Sequence, residues 1–314
     1  MRGTNLDTAT MRYDVTQHII PFGTHGTWAR VTKPRAGRSD LPPLVILHGG
    51  PGIPHDYCLP MAALCNDGRA VIHYDQIGCG RSSRLPDAPV DFWNVKLFVA
   101  ELKNLIDHLG LSGGYHLLGQ SWGGMLGPEY VLCHPEGVRS MILADSPAAM
   151  PLWTQGTEEL LSQLPAEVQS VIREHEAAGT TDSEAYKKAV DVFYKRHLCR
   201  MEPYPDPLES SFALLAEDPT VYHTMVGPSE FSATGTLKDW SVVNRLSEIK
   251  VPSLVLAGEF DEATPVSWEP FVKLLPSVEH HVFRDASHTP HLETPAEFFQ
   301  VVSAFLRKND EKNA

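Results

Sequence analysis

Apolar residues recur along this chain with two periods, and the alternation between them sets its architecture. Leu44-Val45-Ile46-Leu47, Ala70–Tyr74, Met141-Ile142-Leu143-Ala144 and Ser253-Leu254-Val255-Leu256-Ala257-Gly258 are near-continuous apolar runs. Such runs suit strands covered on both faces, as in a parallel sheet. Two strands are expected earlier, near Tyr13–Ile20 and Thr27–Thr32, and a last one at His281-Val282-Phe283. Between them the period changes. From Asp91 to Leu109, Phe92, Val95, Phe98, Val99, Leu102, Leu105, Ile106 and Leu109 recur at three- and four-residue spacing. That predicts a helix with Asp91 as N-cap and Gly110 as its stop. A second helix is expected from Trp122 to about His134, kinked where Gly127-Pro128 removes a backbone donor. A third opens at Thr294-Pro295-Ala296-Glu297, which reads as a capping box with proline at the first helical position.

The pattern changes character from Pro147 to about Lys238. Only helical periods occur there (Glu158–Leu164, Ala166–Ala178, Ser183–His197, Leu208–Ala216), broken by Pro-rich joints such as Glu202-Pro203-Tyr204-Pro205-Asp206-Pro207. An all-helical block between two strand-bearing halves reads as an inserted cap. The expected division is a core of 1–146 and 239–314 with a helical cap of 147–238.

Length and composition bound the function. The 314 residues suit one large α/β domain with an insertion. A net charge of −13 disfavours nucleic acid and anionic membranes as partners. The five cysteines, Cys58, Cys65, Cys79, Cys133 and Cys199, are odd in number and form no C-x-x-C. A disulfide framework is therefore not expected, and a reduced, cytoplasmic setting is. No stretch reaches about 20 apolar residues, and the run at Ile19-Ile20 is too short for a signal peptide. Residues 1–10 are expected to be disordered, and Lys33–Pro43 to form a surface loop.

Candidate chemistry centres on Tyr115-His116-Leu117-Leu118-Gly119-Gln120-Ser121-Trp122-Gly123-Gly124. An apolar strand, a G-x-S-x-G turn and a helix start form the elbow that exposes a nucleophilic serine. A hydroxyl needs a base, usually histidine, and a carboxylate to orient it. In this type of site the chain order is serine, acid, histidine. Ser121, Asp261 and His288 follow that order, each just after a strand. Asp145 also follows a strand and is a rival acid; Glu259 reads as structural. The oxyanion donors would be the N–H of Trp122 and that of Gly50, in the His48-Gly49-Gly50-Pro51-Gly52 loop. Asp75-Gln76-Ile77-Gly78-Cys79-Gly80-Arg81-Ser82 has neither G-K-[ST] nor G-x-G-x-x-G, so it is a turn framing the site rather than a phosphate cradle. His288-Thr289-Pro290-His291 lacks the i,i+4 spacing of a metal pair. No metal and no cofactor is expected.

Three of these motifs together, His48–Gly52, Asp75–Ser82 and Gly119–Gly124, resemble the proline iminopeptidase family of α/β-hydrolases, including its tricorn-interacting aminopeptidases and L-amino-acid amide hydrolases. Gly227-Pro228-Ser229-Glu230-Phe231 and Gly235–Trp240 extend the likeness into the cap. The resemblance implies an eight-stranded, mostly parallel sheet flanked by helices. It implies cleavage of the amide bond after a free N-terminal amino acid, often proline, through an acyl-enzyme. It places the substrate ammonium between two glutamates, by position Glu230 and Glu262. The expected partner is a small amide or short peptide with a free amino terminus. An esterase or lactonase on the same fold, or a catalytically silent binding protein, remain the alternatives. The Gly127-Pro128 pair departs from the family pattern.

Overall fold

The computed structural model describes residues 13–35 and 41–310. The expectations for residues 1–10 and for the middle of the 33–43 loop lie outside the described residues. Eight strands among the described residues form one sheet: β1 (Tyr13–Phe22), β2 (His25–Pro34), β3 (Leu44–Leu47), β4 (Val71–Asp75), β5 (Tyr115–Gln120), β6 (Val138–Ala144), β7 (Ser253–Gly258) and β8 (Val278–Phe283). Their order is β1-β2-β4-β3-β5-β6-β7-β8. The β1–β2 and β2–β4 pairs are antiparallel, and every later pair is parallel.

Side chains alternate between the two faces of a strand, so one apolar run supplies two cores. Val45, Leu47, Leu117, Met141, Leu143 and Val255 join a cluster with Phe98, Leu102 and Met125. Leu44, Ile46, Leu118, Ile142, Leu254 and Leu256 join another with Phe298, Val302, Phe305 and Leu306. The first cluster is covered by α1 (Val95–His108) and α2 (Trp122–Cys133). Five further helices follow β6, namely α3 (Met150–Ser162), α4 (Ala166–Ala178), α5 (Glu184–His197), α6 (Asp206–Glu217) and α7 (Thr220–Met225). After β7 come α8 (Pro265–Leu274), α9 (Pro290–Glu293) and α10 (Pro295–Asp310), the last of which covers the second cluster.

Three local expectations are corrected, and one helix runs on where the sequence signals a break. The helix predicted from Asp91 starts later. Val90–Phe92 makes one tight turn, Trp93 is extended, and Asn94 caps α1 by accepting from the N–H of Leu97. The reason is Trp93, which turns into the core against Phe92 and Phe98. In α2 the helix runs through Gly127-Pro128 without a break. A Cβ on Gly127 would lie 3.2 Å from Met141 Sδ, so the helix is pressed onto β6 there. That packing outweighs one missing hydrogen bond. The capping box at α10 does not form as drawn: Thr294 Oγ1 donates to Pro290 O, and Glu297 pairs with His281 at 2.8 Å. Finally, β8 is longer than its apolar centre because much of this edge strand is exposed and needs no apolar residue.

Candidate active site

The sheet delivers its chemistry at the C-terminal ends of the parallel strands. At the end of β5, Ser121 takes φ 55° and ψ −120°, a conformation costly for any residue but glycine. The sharp turn leaves no room beside it. A Cβ on Gly119 would stand 2.1 Å from the carbonyl oxygen of Gly123, and one on Gly123 would stand 2.0 Å from that of Leu47. The two glycines are thus required by backbone contact, as the elbow pattern implies. Trp122 is the first residue of α2, so its N–H has no acceptor within the helix. Gly50, with φ 103°, lines the same chamber as Ser121 and Trp122.

His288 sits in the loop after β8, and Asp261 in the turn after β7. Nδ1 of His288 lies 2.7 Å from Oδ1 of Asp261, which also accepts from the N–H of Ala263 at 2.8 Å. Both residues are buried. His288 and Ser121 line one pocket. The rival acid, Asp145, lies buried after β6, and the 2.7 Å contact belongs to Asp261. Glu259 accepts from the N–H of Asp285 at 3.2 Å, consistent with a structural place in the turn.

Glu230 and Glu262 come from distant parts of the chain and line that cavity together. Tyr222 donates to Glu230 Oε1 at 2.6 Å. Neither oxygen of Glu262 accepts a hydrogen bond, and its Oε1 lies 3.7 Å from His288 Nε2. Burial raises the Glu230 carboxyl above its usual range, against the lowering effects of Tyr222 and His288. Burial, then the charges of Glu230 and Asp261, push Glu262 well above its own. Two buried carboxyls with an unpaired face toward a cavity favour a cationic ligand, because a cation restores the ionised forms that burial penalises.

A second, small pocket is also lined by Ser121. Met125, Pro147, Met150, Trp153 and Leu237 make it apolar, and Glu230 borders it. Trp153 connects the two pockets: its Nε1 donates to Glu230 O at 2.6 Å, and its ring packs edge-on to His288.

Sequence reasoning missed the hydrogen bonds beneath these groups. The carbonyl of His197, at the end of α5, accepts from the N–H groups of both Glu262 and His288 at 3.2 Å. Trp122 Nε1 donates to Gln76 Oε1 at 2.8 Å, Gln76 Nε2 donates to His48 O, and His48 Nε2 accepts from the N–H of Gln76 at 2.9 Å. Burial holds the His48 imidazole neutral, down to about 4. The turn at 75–82 is likewise an internal brace. Burial alone would raise Asp75, but bonds from His55 hold it at about 2. Asp75 also takes the N–H of Arg81, and the Arg81 guanidinium grips Asp56 with two bonds. Only Tyr222 carried any signal, as a polar aromatic shortly before Glu230.

Comparisons with known proteins agree with this fold. Residues 42–295 match the alpha/beta hydrolase fold family. A proline iminopeptidase of Heyndrickxia coagulans is 40% identical over 264 residues, covering 84% of this chain and 90% of that protein. The crystal structure of a proline iminopeptidase from Mycobacterium smegmatis is 50% identical with a TM-score of 0.88, covering 94% of this chain and 99% of that one. The crystal structure of VinJ is 47% identical with a TM-score of 0.91 over the same shares.

Proposed function

The chain belongs to the proline iminopeptidase family of α/β hydrolases, and we propose that it is a serine exopeptidase releasing a free N-terminal amino acid, proline foremost, from short peptides or amides. The observation that carries this reading is the pair of buried carboxyls, Glu230 and Glu262, in the cavity that also holds Ser121 and His288. A serine nucleophile alone fits many acyl transfers. A carboxyl pair short of donors beside it selects a substrate that enters amine first.

In this reading the ammonium lies between Glu230 and Glu262, and the carbonyl carbon over Ser121 Oγ. The first residue's side chain then enters the apolar chamber of Met125, Met150 and Leu237, which suits a compact ring such as that of proline. His288 takes the proton of Ser121 as the hydroxyl attacks, and Asp261 stabilises the resulting imidazolium. The N–H groups of Gly50 and Trp122 receive the oxyanion, each donor contributing about 3 kcal/mol. The same imidazolium protonates the leaving amine. Water then attacks the acyl-enzyme with His288 again as base. The division into a core of 1–146 and 239–314 and a cap of 147–238 belongs to this reading: the cap supplies Glu230 and Trp153, and the core supplies Ser121, Asp261, Glu262 and His288. Among the described residues no helix is long and apolar enough to cross a membrane. The free, largely buried thiols are consistent with a cytoplasmic setting.

The test compares prolyl-arylamide with its N-acetyl derivative. Turnover of the free amine and at least a hundredfold slower turnover of the acetylated form are expected, since losing a charged partner in a buried site costs roughly 3 kcal/mol or more. Equal rates would remove the amine requirement and leave an esterase-type hydrolase.

A further inference from the structure

Behind His288 stands a second buried carboxyl that the reaction above does not use. We propose that Asp145 is a positioning residue, protonated at neutral pH, whose carboxyl donates a hydrogen bond to Oδ2 of Asp261 and so fixes the carboxylate that orients His288.

Asp145 is the residue after β6, and its N–H donates to Leu256 O of β7 at 2.8 Å. This sets it beside the turn that carries Asp261, whose N–H points back to Gly258 O at 3.4 Å. Asp145 has φ 54°, a strained value for a residue with a side chain, and is wholly buried. No side chain donates to either of its oxygens or to Asp261 Oδ2, and the backbone of Gly258 lowers the Asp145 carboxyl by less than burial and Asp261 raise it. Asp261 Oδ1, in contrast, is used by His288 and Ala263. Three carboxyl oxygens in one dry region thus lack a side-chain donor. Two ionised carboxylates side by side there would combine desolvation with repulsion. One proton between them removes both penalties.

The groups facing Asp145 offer no alternative. They are Asp261 from the turn after β7, Glu293 from α9, and Tyr57 from the segment before β4. None is a lysine or arginine. Burial, and then the charge of Asp261, push the Asp145 carboxyl well above its usual range. A neutral Asp145 spreads the charge of Asp261 and locks its rotation.

This inference rests on the Ser121–His288–Asp261 reading, so its test avoids amine recognition. The rate of Ser121 labelling by a small fluorophosphonate is measured against pH for the parent protein, D145N and D145L. D145N keeps a donor and is expected to label within about threefold of the parent. D145L removes the donor at similar volume and is expected to label roughly 10- to 100-fold more slowly, since a hydrogen bond to a charged group is lost. The acidic limb of its profile should also move. Equal loss in both variants, or no loss in D145L, overturns the proposal. An infrared difference spectrum of parent minus D145N supplies a second readout. It should contain the carbonyl stretch of a protonated carboxyl, and its absence overturns the proposal whether or not D145L folds. Absence of labelling in the parent protein would instead remove Ser121 as nucleophile, with the infrared band still deciding the state of Asp145.

Discussion

The phenolic oxygen of Tyr57 ties together the loops on either side of Ser121: it accepts from the N–H of Gly49 at 2.7 Å and donates to Gln120 Oε1 at 2.5 Å. The other end of the Gln120 amide donates to His288 O at 2.9 Å. One side chain therefore spaces the loop of Gly50, the elbow and the loop of His288. Replacing Tyr57 with Phe leaves a buried N–H and a buried carbonyl without partners, at about 1–3 kcal/mol each. The expected result is a kcat lowered about tenfold with KM little changed, read with prolyl-arylamide. An unchanged kcat would show that packing alone sets this spacing.

Amine recognition should be visible as proton release. Glu262 is pushed well above its usual range by burial, Glu230 and Asp261, which favours its protonated form. An arriving ammonium favours the ionised form, and the proton must leave. Affinity should therefore improve as pH rises, until the substrate amine itself deprotonates near pH 8. Titration calorimetry of a non-cleavable prolyl analogue, in buffers of different ionisation enthalpy, should report proton release. Glu262→Gln should reduce that release and raise KM at least tenfold. Binding heats independent of buffer would count against the clamp.

The apolar chamber makes a size prediction. Leu237→Phe fills space next to Met125 and Met150. It should lower kcat/KM for prolyl-arylamide by about tenfold, in the range that one misfitted apolar group costs. Fluorophosphonate labelling of Ser121 should stay within about threefold. Parallel loss in both assays would mean that the substitution disturbed the elbow instead.

Glu101 gives the fold a pH dependence near neutrality. Its carboxylate accepts from Thr27 Oγ1 at 2.5 Å and from the N–H of Ile77 at 2.8 Å, fully buried under the 75–82 turn. Burial raises it to about 7, against the lowering effect of those two bonds. A carboxyl raised in the folded state is most stabilising below its unfolded value near 4.5, and that stability is lost as pH rises through about 7. The span corresponds to about 3 kcal/mol. Tm should fall across this window, and Glu101→Gln should flatten the fall. Parallel Tm curves for the two proteins would exclude Glu101 as the cause.

The last helix is held by charge as well as by its apolar stripe. Arg69, fully buried, pairs with both oxygens of Asp310 at 2.8 and 3.0 Å, and His116 reaches Asp310 Oδ1 at 3.0 Å. Asp310→Asn leaves a buried guanidinium without a counter-charge and should cost about 3–5 kcal/mol in chemical denaturation. A loss below about 1 kcal/mol would show that the pair is solvated in solution.

The sequence by itself determined the elements that short-range physics controls. Continuous apolar runs announced β3, β6 and β7, because a strand buried on both faces needs apolar residues at every position. The elbow was legible because backbone collisions at Gly119 and Gly123 admit one residue type. The order of Ser121, Asp261 and His288 followed from their places after strands. Glu230 and Glu262 were reached only through family likeness, since neither position carries a local signature. Tertiary structure decided what depends on contacts between distant residues. Trp93 overrode the helical period at Asp91 by turning inward, and packing of Gly127 on Met141 carried α2 through Pro128. The ties made by Tyr57, Gln76 and His197, and the set of Asp145 against Asp261, join residues far apart in the chain. Hydrogen bonds of that kind leave no periodicity, because their partners meet only when the sheet order brings the strand ends together.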